Sequence, residues 1–370
     1  MEIAPVTSGR DLDRFIAFPY QHYRGDPLWV PPLRMDVRAL LSPRKNPFFQ
    51  HAEARYFLAV EQAGREVVGR IAAIKNDAHN QVHRDRVGFF GFFESVNRED
   101  VARALFHAAG EWLGARGLDT MRGPMSPSVN DECGLLVWGF DTPPTVMMPH
   151  NPPYYADLVE RSGFRKAMDL LVYESTGTRL PDRLVRAVRL VAERKGVTLR
   201  PLDMKRFTDE VELVKRLYNR AWERNWGFVP LTGAEIDHLA KQLKPVVVPD
   251  LVCFAETRGE TIGFAAALPD LNVALKHNPS GRLFPGILKV LWHARRIRRL
   301  RILLLGVLPE WRHTGVDALM YHWIWEKGVA RGFEWGEAGW VLEDNAAMNN
   351  AIVRLGFRHY KTYRVYDRPL

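Results

Sequence analysis

Apolar and polar positions alternate along this chain in a way that predicts short strands and amphipathic helices in a fixed order. Glu2 to Val6 reads as a strand. A helix follows, and then an aromatic loop with Tyr20, Tyr23 and Trp29. Ala54 to Glu61 and Glu66 to Ile74 have the period of a hairpin turning at Gly64. Val87 to Glu94 is a Phe-rich strand, and Asp100 to Arg116 an amphipathic helix stopped by Gly117. Leu118 to Arg122 predicts another strand. A loop rich in Pro and Gly runs to about Pro153, then Tyr154 to Ser162 reads as a short helix and Phe164 to Glu174 as a strand. Near the other end, Arg301 to Leu308 is an apolar run of strand length that Pro309 terminates. Val316 to Arg331 then carries Val316, Leu319, Met320, Trp323 and Ile324 at helical spacing.

The same order occurs twice. Gly163-Phe164-Arg165 and Val172-Tyr173-Glu174 are echoed by Gly356-Phe357-Arg358 and Val365-Tyr366-Asp367. The hairpin segment from Val68 to Ala73 is echoed by that from Ile262 to Ala267. Gly91-Phe92-Phe93 and Ala115-Arg116-Gly117 are echoed by Gly306-Val307-Leu308 and Ala330-Arg331-Gly332. Blocks that recur in one order at nearly constant spacing mark two copies of one mixed α/β domain. The expected boundaries are 1–175 and 197–370, with 176–196 as a linker containing a joining helix, Leu180 to Lys195, opened by Pro181 and closed by Gly196. The spacing changes inside each copy. The first carries an extra stretch of roughly twenty residues before Gly163, and the second a similar one before Gly306, a length at which loops are usually functional.

Composition narrows the class. The chain has 370 residues, 46% hydrophobic and 26% charged, enough for two sizeable cores. Its two cysteines, Cys133 and Cys253, provide neither a disulfide framework nor metal-ligand spacing. The first residues lack the basic start and apolar core of a secretory leader, and no apolar run is long enough to span a bilayer. A cytoplasmic protein is expected. The net charge of +9 favours an anionic partner: a nucleotide cofactor, nucleic acid or an acidic membrane surface.

The strand–turn–helix from Arg301 to Met320 carries the sharpest chemical signal. The turn Arg312-His313-Thr314-Gly315 opens a helix whose first N–H groups have no intrahelical partner and can hold an anion. This stretch resembles the acyl-CoA-binding segment of the GNAT acetyltransferase superfamily, whose signature is Gln/Arg-x-x-Gly-x-Gly/Ala. Arg312 and Gly315 match, while Asp317 stands where Gly or Ala is usual and Ala318 follows it. Glu343-Asp344-Asn345, Met348-Asn349 and Leu355-Gly356-Phe357 are similar to the superfamily's later segments, and the resemblance covers nearly the whole chain. It implies two tandem GNAT-like domains, each a mixed twisted sheet flanked by helices. It further implies acetyl-CoA or another acyl-CoA as co-substrate, with no metal. Val307 and Leu308 would pair with the pantetheine arm, the N–H groups of His313, Thr314, Gly315, Val316, Asp317 and Ala318 would hold the pyrophosphate beside Arg312, and Asn345 would sit near the cofactor. At the corresponding turn the first copy has Asn97, Glu99 and Asp100. Carboxylates repel a pyrophosphate, so the second copy alone is expected to bind CoA.

Acyl transfer to an amine requires that the ammonium lose a proton, that the carbonyl oxygen be stabilised and that the thiolate be protonated. Many GNAT enzymes protonate the thiolate with a Tyr five places before the Phe of Gly-Phe; here that place holds Ile352, and Val159 in the first copy. Candidate bases are Glu343, at a strand end, and Asp131, Glu132 and His150 in the first copy's loop. Asn130, Asn151, Tyr154 and Tyr155 are candidates to bind the acceptor there. Asp77, His79, His83 and Asp85 lie in a polar connection and are not expected to bind metal. The second copy's extra stretch, 282–299, is both basic and apolar, as in helices that lie in an anionic membrane surface. Together these point to an acyl-CoA-dependent N-acyltransferase acting on a small amine or a lipid or sphingoid-type amine, peripheral on the inner membrane face. Nucleic acid is not an expected partner. Two alternatives stay open: a Fem-type transferase using aminoacyl-tRNA, and a non-catalytic acyl-CoA or lipid-binding protein.

Overall fold

The computed structural model describes residues 1–61, 66–177, 182–223 and 225–370, with main chain alone at 184 and 189. In chain order the elements are β1 (Glu2–Pro5), α1 (Gly9–His22), α2 (Arg34–Leu40), β2 (Ala52–Glu61), β3 (Glu66–Asn76), α3 (Asp77–His83), β4 (Val87–Ser95), α4 (Glu99–Gly114), β5 (Thr120–Gly123), β6 (Met125–Ser126), β7 (Glu132–Cys133), β8 (Leu135–Trp138), α5 (Tyr155–Arg161) and β9 (Arg165–Ser175). They continue as α6 (Asp182–Lys195), β10 (Thr198–Pro201), α7 (Phe207–Trp222), α8 (Gly233–Leu243), β11 (Val252–Thr257), β12 (Glu260–Pro269), α9 (Asn272–Leu275), α10 (Gly286–Ala294), β13 (Arg299–Val307), α11 (Val316–Ala330), β14 (Trp335–Leu342), α12 (Ala346–Arg354) and β15 (Arg358–Pro369). The expected turn at Gly64 and the Leu180-Pro181 start of the joining helix fall outside the described residues.

Contacts divide the chain into two compact units, and this division does not follow the sequence repeat. The first unit comprises Met1–Leu170, Asn272–Ala294 and Lys361–Leu370; the second comprises Leu171–Leu271 and Arg295–Tyr360. The physical reason is visible in the first unit. The end of β15 completes its sheet, with Tyr366 to Pro369 antiparallel to β5 and Thr362 to Arg364 against β8. Its α9–α10 segment is tied in by Asn272 Nδ2, which donates to the Pro144 carbonyl, and by Arg34 Nε, which donates to the Ser280 carbonyl.

Within the first unit the strand order is β1-β2-β3-β4-β5-β15, with the start of β9 beyond it. The β4–β5 pair is parallel and the others among β1 to β4 are antiparallel. Helix α4 packs on this sheet through Val101, Leu105, Phe106 and Leu113, all fully buried. Helix α1 covers the opposite side with Phe15 and Ile16, opened by a capping box between Ser8 and Asp11. The second unit repeats this plan as β9-β14-β13-β12-β11-β10, with β13–β14 parallel. Here α11 buries Val316, Leu319, Met320 and Ile324, and α7 covers the other face with Leu217 and Tyr218.

Several local expectations change. The Pro-rich loop is not devoid of regular structure; it contains the β6–β7 hairpin and β8. The polar connection after β3 forms α3, N-capped by the Asn76 side chain. The helix expected across 282–299 is confined to Gly286–Ala294, and Arg299 already belongs to β13. Among the described residues no helix is long and apolar enough to cross a membrane.

Candidate functional site

In the second unit β13 and β14 are paired from Arg299–Trp335 to Ile302–Ala338. Beyond that pair no β13–β14 ladder is present among the described residues, whereas β13 stays paired with β12 as far as Gly263–Val307. The parallel strands therefore splay at their C-terminal ends. Leu308 N–H donates to the Ile262 carbonyl at 2.9 Å, so the main chain of Leu308 faces β12. Alternation along the strand turns Val307 to the edge left by β14. The main chain of Val307 therefore faces the open edge and that of Leu308 faces β12.

The turn that follows is built to start a helix without covering its end. Thr314 Oγ1 donates to the Trp311 carbonyl at 2.6 Å, and Gly315 takes φ +88°, a left-handed conformation that glycine adopts without strain. Gly315 is the N-cap of α11 and supplies no capping side chain. Leu319 N–H makes the bond to the Gly315 carbonyl, which leaves the N–H groups of Val316, Asp317 and Ala318 without an intrahelical acceptor. His313 also has a positive φ, +60°. Arg312 is turned aside, its Nη2 donating to the Ala221 carbonyl at 3.0 Å. Val191 of α6 lies where a Cβ on Gly315 would be 3.0 Å from its Cγ2. The joining helix thus borders the turn.

At the end of β14, Asn345 is the N-cap of α12 and accepts from Met348 N–H at 3.1 Å. Glu343 is half-buried, and its carbonyl accepts from Asn349 Nδ2. Ile352 is fully buried among apolar side chains that pack on α11, as is Val159 in the first unit's core. Neither position could carry a proton donor without breaking a core. Tyr360 packs in the last strand, and its hydroxyl donates to Glu337, which also lies 3.3 Å from Arg301.

The first unit keeps the splay and fills it. β4 and β5 pair only from Val87–Thr120 to Phe89–Arg122. Ser126 Oγ then accepts from Phe92 N–H at 2.9 Å, and a Cβ on Gly91 would overlap the Met125 carbonyl oxygen. The start of α4, which has no side-chain cap, carries an ion-pair cluster: Arg98 binds both Asp100 and Glu61 at 2.5 Å, which holds the Asp100 carboxyl below the usual range.

The loop from Pro124 to Pro153 places the remaining expected residues. Asp131 accepts from Ser128 Oγ at 2.6 Å and Asn130 N–H donates to the same hydroxyl, a local turn rather than a converging site. Glu132 is exposed in the β6–β7 hairpin. Asn151 is consumed by the fold: it accepts from Leu136 N–H and donates to the Leu136 and Pro152 carbonyls. Lys361, fully buried, donates to the carbonyls of Thr142 and Pro143 and fastens the loop. His150, Tyr154 and Tyr155 do converge. They meet at a set of residues that sequence reasoning missed.

That set centres on Glu94 of β4, the cross-strand partner of Arg70. Glu94 Oε2 accepts from Tyr23 OH at 2.6 Å and Tyr155 OH at 2.8 Å, and Oε1 lies 3.5 Å from Arg70 Nη2. Ser95 N–H donates to Tyr155 OH, and Tyr154 OH donates to the Ser95 carbonyl. His22 Nε2 is 3.0 Å from Tyr155 OH. Burial raises the Glu94 carboxyl above its ordinary range, against the opposing pull of Arg70 and the phenols. Burial, with help from Arg70, lowers His22 to about 4, so this imidazole is neutral near pH 7. His150 Nε2 pairs with Asp26 at 2.8 Å; burial lowers its pKa despite that carboxylate, and its Nδ1 is buried without a partner. A signal did exist in the sequence: Arg70 interrupts the apolar run from Val67 to Ile74 and Glu94 follows the apolar run from Val87 to Phe93, and charges in such places are rarely buried unpaired. Elsewhere, His79 contacts Asp85 at 3.3 Å and packs edge-on against Phe89. Among the described residues no three metal-type ligands converge.

No family model matches the chain. It is 40% identical over 379 aligned residues to the bacterial ceramide synthase of Caulobacter vibrioides, with 100% of this chain and 98% of that protein covered. It is 36% identical to protein YghO of Escherichia coli K12, covering 97% and 93%. Among solved structures, a tandem GNAT protein from the clavulanic acid biosynthesis pathway superposes with a TM-score of 0.58 at 13% identity, covering 100% of this chain and 98% of that one. The glucosamine N-acetyltransferase region of a fungal multi-domain enzyme superposes with a TM-score of 0.59 at 14% identity, covering 99% and 38%. The doubled splayed sheet and these likenesses identify the chain as a tandem GNAT-fold acyltransferase of the family that contains the Caulobacter ceramide synthase.

Proposed function

We propose that the protein transfers an acyl group from acyl-CoA to the primary amine of a long-chain, sphingoid-type amino alcohol. The second unit holds the acyl-CoA and the first binds the acceptor. The observation that carries this reading is the contrast between the two splayed sheets. Neither helix start beyond the splay has a side-chain cap, but the second begins at a glycine with no carboxylate pair on it among the described residues, whereas in the first the chain's own loop fills the splay and Asp100, paired with Arg98, sits on the helix start. The N–H groups of Val316, Asp317 and Ala318 would hold the pyrophosphate and the Val307 main chain the pantetheine, leaving the thioester at the divergence of β13 and β14. The name of the Caulobacter relative supports a sphingoid-type acceptor.

A peripheral membrane position fits such a substrate. Helix α10 and the residue before its proline expose Phe284, Leu288, Leu291 and Trp292, each more than half accessible, beside exposed Arg282 and Lys289. An apolar face with a cationic rim is the composition of an interfacial helix. The test is incubation of the purified protein with acyl-CoAs of short to long chain and a sphingoid amine, with mass spectrometry of the products. An N-acyl amine formed together with free CoA is the expected result. Formation of neither with any chain length would exclude the reading, and activity only with aminoacyl-tRNA would replace it.

A further inference from the structure

We propose that Arg301 is a positioning residue: its buried guanidinium fixes where β14 parts from β13 and so shapes the cleft in which the second unit would hold the acyl-CoA thioester. The consequence for turnover rests on the acyl-CoA reading above, and every residue involved belongs to the second unit.

The two strands separate at a definite rung. Ile302–Ala338 is the last pair of the β13–β14 ladder, and Arg301–Glu337 is the pair before it. β13 bulges at the same place, since Ala267 faces Ile302 and Ala266 faces Leu304, which skips Leu303. Arg301 spans the separation. Its Nε lies 3.3 Å from Glu337 Oε1, directly across the ladder. Its Nη2 donates at 3.1 Å to the carbonyl of Gly339, the first β14 residue past the last pair. β9 lies against Gly339 as well, so closely that a Cβ there would stand 3.1 Å from Val172 Cα. One side chain of β13 therefore holds β14 both at the ladder and just beyond it. The planar fork of a guanidinium has donors to spare for two such partners, which the single ammonium of a lysine does not.

Stability alone is a poor reason for this arrangement. Arg301 keeps 3% of its surface exposed and Glu337 1%, and Tyr360, itself buried, donates its hydroxyl to the same carboxylate. Taking such a pair out of water costs about as much as its attraction returns, and apolar residues of similar volume often serve a fold as well. A buried pair does impose one geometry on the strands that carry it. In the first unit Ser126 Oγ and the Met125 carbonyl hold the divergence of β4 and β5. In the second unit the contact comes from a side chain of the ladder itself. A thioester lying between the strand edges would be aimed by them, and misplacing a reacting group by about 1 Å costs on the order of a hundredfold in rate.

The test uses the full chain with Arg301→Lys, hydrogen–deuterium exchange along β14, and acyl transfer from a saturating acyl-CoA to a water-soluble sphingoid analogue. Lysine keeps a charge for Glu337 and gives up the simultaneous bond to Gly339. Exchange in residues 339–342 is expected to quicken about tenfold, the worth of one charge-assisted hydrogen bond, with exchange in α11 unchanged. The kcat is expected to fall about a hundredfold while the KM for acyl-CoA stays near wild type. If Arg301→Lys does not fold, the double change Arg301→Met with Glu337→Gln leaves no charge unpaired, and the same local quickening and loss of kcat are expected of it. A purely structural role predicts instead that lysine restores turnover, or that exchange quickens evenly through the second unit while the folded protein keeps its kcat. Wild-type exchange at 339–342, or wild-type kcat in a folded variant, overturns the proposal. The acyl-CoA reading fails separately. If the wild type neither binds nor turns over any acyl-CoA, that reading is lost, while quickened exchange confined to β14 still supports Arg301 as the residue that holds the strands apart.

Discussion

The two units solve the same geometric problem in opposite ways. A parallel pair of strands that splays leaves main-chain groups and a helix N-terminus to be satisfied by something. In the first unit the chain supplies its own solution: Ser126 takes the Phe92 N–H, the Met125 carbonyl crosses Gly91, and Arg98 ties Asp100 to Glu61 at the start of α4. In the second unit β13 leads to a glycine helix start; like the start of α4 it has no capping side chain, but no ion pair stands on it among the described residues. The difference lies in a handful of residues on a shared scaffold, and it separates a splay filled by the chain's own loop from one that no such loop fills among the described residues. The first unit then uses the adjoining space for charge, with Glu94, Arg70 and three phenols gathered beside the filled splay.

The comparison breaks most sharply at the two helix starts. Gly315→Glu is expected to weaken CoA binding by at least about a hundredfold in calorimetry, because it adds a carboxylate, strains a positive-φ position and presses on Val191. Asp100→Ala is expected to leave CoA affinity near wild type. If Asp100→Ala were the damaging change, the assignment of units would be reversed.

Next in size is a test of the filled cleft. Gly91→Ala would force a methyl group into the Met125 carbonyl, and overpacking at a backbone contact costs about 3 kcal/mol or more. Denaturant unfolding should show that loss while the folded fraction still binds CoA with unchanged affinity. A neutral Gly91→Ala would mean that Met125 and Ser126 move aside without cost, and the first cleft would then be closed only loosely.

The succession of elements along the chain and the doubling were legible in the sequence because both rest on local periodicity and on short blocks such as Gly163-Phe164-Arg165 and Gly356-Phe357-Arg358. The turn that starts α11 was legible for the same reason: Arg312 to Gly315 is contiguous. The Glu94 site was not, since Tyr23 comes from 71 positions away and Tyr155 from 61, and only the β3–β4 register sets Arg70 opposite Glu94. Asn151 looked like a substrate ligand because its three bonds to the main chain of its own loop leave no trace in composition. The division of contacts was equally hidden. Residues 272–294 and 361–370 lie within the second sequence copy, yet their packing partners are in the first unit.

A smaller effect follows from where the buried histidines lie. His22, His79 and His150 all belong to the first unit, and burial lowers each, His22 and His79 to about 4. A depressed imidazole pKa means that the unfolded chain binds the proton first. Stability is then fully present above the ordinary value of 6.5 and declines as pH falls through the folded value near 4. Glu94 works in the opposite sense, since its raised carboxyl pKa makes the folded state lose stability as pH rises through that value. For His79 a loss on the order of 2 kcal/mol across the window is expected, less what Asp85 returns on protonation. Urea unfolding at about pH 7 and about pH 5 should show a decline in wild type and a smaller one in His79→Gln. An equal decline in both would remove His79 from the account.

The smallest expected effect concerns the segment that lies in the second sequence copy and packs with the first unit. Helix α10 is anchored by buried Gly286 and Val290 and by His293 stacked on His277 at 3.4 Å between ring centroids. That anchoring leaves Leu288, Leu291 and Trp292 pointing to solvent, where a soluble helix would ordinarily carry polar residues. Exposed Lys289, Arg295 and Arg296 give the same stretch of chain a positive charge, each worth about 1 kcal/mol near an anionic surface and screened by salt. Arg299 takes no part, because it stacks on Trp335 at 3.8 Å within the second unit. Flotation with liposomes containing anionic lipid should therefore fall as salt rises. The triple change Leu288→Ser, Leu291→Ser, Trp292→Ser should lower membrane partition by about tenfold, since burying even one such side chain is worth roughly 1.5 kcal/mol. It should leave acyl transfer to a water-soluble amine unchanged, while turnover of a membrane-embedded sphingoid amine falls with the partition. If flotation of the triple variant equals that of wild type, α10 is not the contact. If flotation falls but turnover of the embedded amine does not, the acceptor reaches the first unit without the membrane contact.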